Sequence, residues 1–129
     1  TTAPTLSSLH VNGAPYDSSN GYYYLTRPTS GCAPPTYTDI VVTATDPDDA
    51  VAWVRLYWLK PNAGVSDTPY HVDMYMSGTH VWTGTLSAYS TWTEGVITYW
   101  VQAGDSHGNT SATLYYPASQ ELQMVGCIF

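Results

Sequence analysis

Five oxygen-bearing side chains fall in two tight turns: Asp46, Asp48 and Asp49 in Asp46-Pro47-Asp48-Asp49, and Asp105 and Asn109 in Asp105-Ser106-His107-Gly108-Asn109. Carboxylates and an amide carbonyl are the hard oxygen donors that calcium takes, so these five are the candidate metal ligands. Their spacing is not that of an EF-hand, and each is also explained singly as an Asx side chain bonding turn backbone. Acid–base and nucleophilic chemistry find less to use. His10, His71, His80 and His107 are scattered over separate strands and turns, and Glu94 and Glu121 are the only glutamates. One loop carboxylate and one strand carboxylate do not make the pair that sugar hydrolysis needs. No His-Glu-x-x-His, glycine-rich phosphate cradle or Gly-x-Ser-x-Gly elbow is expected. The expectation is a protein that is not an enzyme and that has no cofactor beyond an optional calcium ion.

Composition narrows the classes further. The chain has 129 residues, 43% hydrophobic and only 10% charged, with five Trp and twelve Tyr. That length predicts one domain over residues 1–129 with room for a core, and the aromatic content excludes general disorder. Three Lys/Arg against ten Asp/Glu give a net charge of −7. No basic face for phosphate can be assembled from three cations, so nucleic acid and anionic membrane are not expected partners. No apolar run reaches the length of a membrane span. The chain opens Thr1-Thr2-Ala3-Pro4-Thr5 without Met or signal peptide, as a mature protein or an excised domain would. Cys32 and Cys127 lack zinc-ligand spacing, which leaves a disulfide or two buried thiols. A bridge between them would stabilise by about 4–5 kcal/mol in the chain-entropy model. Even cysteine number, few lysines and abundant Thr, Ser and Tyr favour the bridge and an extracellular or cell-surface location.

The elements that must position these residues are strands. Alternation and turn signals predict strands over Pro4 to Val11, Tyr22 to Thr26, Tyr37 to Thr45, Val51 to Lys60, His71 to Met76, His80 to Leu86, Val96 to Ala103, Thr110 to Tyr116 and Glu121 to Ile128. Ser77-Gly78 reads as a tight turn, and Gly108-Asn109 closes a hairpin whose turn needs residues tolerant of the left-handed region. No window sustains a helical period, so helix is expected to be negligible. Seven to nine short strands imply an all-β antiparallel sandwich. Alternation places Ile97, Tyr99, Val101 and Ala103 inward, with Thr98, Trp100 and Gln102 outward. On the earlier strand, Ala52, Val54, Leu56 and Trp58 face inward, leaving Trp53, Arg55 and Tyr57 outward.

The stretch Val42-Thr43-Ala44-Thr45-Asp46-Pro47-Asp48-Asp49-Ala50-Val51, followed by Val54-Arg55-Leu56-Tyr57-Trp58, resembles the middle of bacterial immunoglobulin-like (fibronectin-type-III-like) modules. The run Gly95-Val96-Ile97-Thr98-Tyr99-Trp100-Val101-Gln102-Ala103-Gly104-Asp105, closing with Gly108-Asn109-Thr110-Ser111, is similar to their final hairpin. The resemblance covers residues 38–116. It implies an immunoglobulin-like sandwich with residues 37–116 as its core, a preface of 1–36 and a C-terminal strand in 117–129. Cys32 and Cys127 lie outside the motif-bearing strands, so they are not the intersheet bridge of antibody domains. The resemblance also implies a spacer, presenting or protein-interaction module of a secreted or surface protein. It makes the Val51 and Val96 strands neighbours, so that Trp53, Tyr57 and Trp100 form one aromatic stripe with Arg55 beside it. Such a stripe suits a protein partner or, as the alternative, a polysaccharide. If Tyr22, Tyr23 and Tyr24 fold over it, the stripe is core. The same topology puts the two acidic turns at one end, giving a third reading as a calcium-stabilised adhesin repeat.

Overall fold

The computed structural model describes residues 3–26, 36–47, 50–89 and 91–125. These form eleven strands: β1 Thr5–Asn12, β2 Tyr16–Asp17, β3 Tyr22–Thr26, β4 Tyr37–Thr45, β5 Val51–Leu59, β6 Tyr70–Asp73, β7 Tyr75–Gly78, β8 Val81–Ser87, β9 Gly95–Asp105, β10 Leu114–Tyr115 and β11 Leu122–Val125. The helical content among the described residues is a single 3-10 turn at Ala118–Gln120. No helix among them is long and apolar enough to cross a membrane.

Two sheets result. The smaller has the order β1-β4-β8-β7; the larger runs β2-β3-β11-β9-β5-β6, with β10 also pairing β9. All pairs are antiparallel except β11 with β3, which run parallel from Leu122↔Tyr23 to Val125↔Thr26. The inner faces follow the period-2 alternation. Ile40, Val42, Ala44 and Leu86 from the smaller sheet pack against Val54, Leu56, Ile97, Tyr99, Val101, Ala103, Leu122 and Met124 from the larger, all at 0–1% exposure. This is an all-β architecture of two layers around one core.

Three expectations change in detail. Ala52 is exposed, because a bulge between Val51 and Trp53 shifts the register, and the inward set starts at Val54. The strand expected over His71 to Met76 breaks at Met74. There the chain leaves the larger sheet as β6 and joins the smaller as β7, while the buried Met74 donates its N–H to the Val54 carbonyl at 2.8 Å. Ser77-Gly78 lies in β7 rather than in a turn; the reversal comes at Thr79-His80, with His80 at φ 61°. That break and the two-residue strand β2 raise the strand number above the expected seven to nine, while the strand expected over Thr110 to Tyr116 shortens to β10.

Candidate functional site

The outer face of the larger sheet is built by residues that alternate with the core set. Tyr57 and Trp100 are register partners on β5 and β9, and their rings are 5.8 Å apart and 8° from parallel. Tyr57 also pairs with His71 of β6, at 6.1 Å between rings, and Trp100 with Tyr115 of β10, at 5.5 Å. Four rings thus cross four adjacent strands as one row, His71–Tyr57–Trp100–Tyr115. A separation of 5.8 Å is too short for Tyr57 and Trp100 to lie side by side in one plane, so they overlap as an offset stack. Both rings are half-buried on the outward side of the sheet.

Arg55 and Trp53 occupy the neighbouring rows. The Arg55 guanidinium carbon sits 5.0 Å from the Trp53 ring centre, and Arg55 Nε donates to Asp73 Oδ1 at 2.9 Å. The Asp73 hydrogen bond, and next the Tyr57 hydroxyl, raise the guanidinium pKa. Gly104 makes room for the Trp53 indole: a Cβ there would fall 2.3 Å from Trp53 Cε2 and Nε1. Only glycine allows so close an approach.

All four residues expected to form the stripe share this face and are half-buried. Tyr57 stacks on Trp100, Arg55 lies against Trp53, and the Tyr57 hydroxyl acts on the Arg55 guanidinium. Tyr22, Tyr23 and Tyr24 do not fold over the row; β3 extends the sheet sideways beyond β11, with Tyr23 packed on the core. Sequence reasoning missed His71, Asp73 and Tyr115. Their outward alternation was readable, but their register against β5 and β9 depends on where the 60–69 and 106–113 segments return.

Val51 pairs with Asp105, so the start of β5 lies at the Asp105 end of β9. Asp48 and Asp49 lie outside the described residues. Asp105 is buried and its Oδ1 accepts from the N–H groups of His107 and Asn109, both at 2.9 Å, while Oδ2 accepts from Asn109 Nδ2 at 3.0 Å. These bonds are those of a self-capped turn. Among the described residues, no group of three or more His, Cys, Asp or Glu is placed to hold a metal ion. Gly104-Asp105-Ser106-His107-Gly108 spells Gly-x-Ser-x-Gly, but it occupies this strand-to-strand hairpin, whereas a nucleophile elbow leads from a strand into a helix.

Cys32 and Cys127 also lie outside the described residues. The strands preceding them, β3 and β11, end side by side at Thr26 and Val125. No protein-family model matches the chain, and no curated protein matches it.

Proposed function

We propose that this chain is a non-catalytic extracytoplasmic interaction module of the immunoglobulin-like (fibronectin-type-III-like) kind, spacing or presenting parts of a larger secreted or surface protein. Its contact surface is the outer face of the larger sheet. The observation that carries this reading is the row His71–Tyr57–Trp100–Tyr115 on that face, flanked by Arg55 and Trp53. Trp, Tyr and Arg are the side chains that most often dominate protein interfaces. A protein partner is favoured over a polysaccharide because sugar rings stack on open aromatic faces, whereas Trp53, Tyr57 and Trp100 are half-buried. A Cys32–Cys127 disulfide belongs to the same reading, as does a secreted or surface location.

The test places a photo-crosslinking side chain at Thr98, beside the row, and exposes the module to cells carrying its parent protein. Crosslinks to a protein are expected, and Trp100→Ala should reduce them severalfold. Crosslinking unaffected by Trp100→Ala would remove the face from the proposal. Retention on an insoluble polysaccharide that Trp100→Ala abolishes would transfer the site to the glycan alternative.

A further inference from the structure

We infer that the outer face receives an arginine-bearing, basic segment of a partner protein, with a guanidinium laid on Tyr115 beside Glu121. The inference rests on the reading of that face as the contact surface and specifies the partner's chemistry.

The face already displays this recognition once, within the chain. Arg55 lies 5.0 Å from the Trp53 ring centre and is held by the Asp73 carboxylate at 2.9 Å, so ring, guanidinium and carboxylate form one unit. Across the row, a ring and a carboxylate stand with no such cation against them among the described residues. Tyr115 ends the row: Trp100 is its ring neighbour on one side, and it is 57% exposed. Glu121 leads into β11, and its carboxylate accepts from Gln123 Nε2 at 2.7 Å, so both side chains share the outward side of that strand. Because β11 and β10 pair with successive stretches of β9, Glu121 comes in beside the Tyr115 end of the row. It lies near enough to Tyr116 to raise that hydroxyl's pKa, after burial as the larger cause.

Charge complementarity selects the sign. The chain has ten acidic residues and three basic ones. Arg55, the cation of this face among the described residues, is already paired with Asp73. A basic segment is steered toward such a surface and an acidic one repelled. Arginine is favoured over lysine because a planar guanidinium can stack on a ring and fork onto a carboxylate together.

Titration of the whole protein with hexa-arginine, hexa-lysine and hexa-glutamate peptides reads this directly. Hexa-arginine should bind about three- to tenfold more tightly than hexa-lysine, the range of one partly exposed guanidinium–ring contact. Tyr115→Ala and Glu121→Gln should each erase most of that margin while leaving the circular dichroism spectrum unchanged. Equal affinity for the two basic peptides, or a margin that survives both variants, would overturn the inference. Selection of a charge-balanced peptide library on the wild type and on Trp100→Ala separates the two levels. Arginine-rich peptides lost on Trp100→Ala support the inference. Neutral or acidic peptides lost on Trp100→Ala overturn it and keep the face as a contact surface. Peptides all indifferent to Trp100→Ala overturn both.

Discussion

Tyr99 brings a phenol into the core. Its ring is fully buried and stacks on Tyr116 at 4.9 Å, and its hydroxyl donates to the main-chain carbonyl of Gln120. Burial, chiefly, pushes its pKa well above the ordinary phenol value of 10.0. A raised folded-state pKa means stabilisation that is complete below the unfolded value and lost as pH climbs from there through the folded value. The melting temperature should therefore fall above pH 10. Tyr99→Phe should cost about 1 kcal/mol at neutral pH for the lost hydrogen bond. The gap between wild type and variant should narrow as pH rises past 10, in parallel thermal melts. A gap independent of pH would show that Tyr99 does not carry this dependence. Inwardness at this position was legible from alternation with Ile97 and Val101. The partner was not, because Gln120 reaches Tyr99 only through the fold of the last segment.

Met74 shows what an element can do at the edge of two sheets. The nine residues Tyr70 to Gly78 close one side of the sandwich by lending β6 to the larger sheet and β7 to the smaller. Met74 is the pivot, with its side chain so close over Gly84 that a Cβ there would lie 2.9 Å from Met74 Cγ. Met74→Ala should destabilise by about 2–5 kcal/mol, as core truncations do. Hydrogen exchange should reveal the loss as faster amides in β6 and β7 together; acceleration confined to one of them would mean the strands are held separately. The sequence marked this stretch as strand but as one strand, since alternation continues through Met74 and no Gly or Pro punctuates it. β4 was legible to the residue, because the apolar pattern from Tyr37 to Thr45 ends at Asp46-Pro47. The outward stripe on β5 was legible from Trp53 onward, while the bulge that exposes Ala52 leaves no compositional mark.

For the whole molecule, an all-β two-layer core could be read from strand spacing and aromatic content, but pairing order could not. Nothing in the local pattern says that β11 inserts between β3 and β9, because long-range register is settled by packing. If Cys32 and Cys127 are bridged, the intact mass should rise by two hydrogens on reduction, and Cys32→Ser should lower stability by about 4–5 kcal/mol in the chain-entropy model. Alkylation of both thiols without reductant would refute the bridge. The parallel pairing of β11 with β3 has a further consequence for synthesis. The β2–β3 ribbon joins the larger sheet through β11, so it has no place in that sheet until Val125 has emerged from the ribosome or a translocation pore. Closing so long a loop is slow, and during that wait Tyr22, Tyr23, Tyr24 and Leu25 remain open to chaperones. The four strands of the smaller sheet all precede Ala88 in the chain, whereas the larger sheet is complete only with Val125.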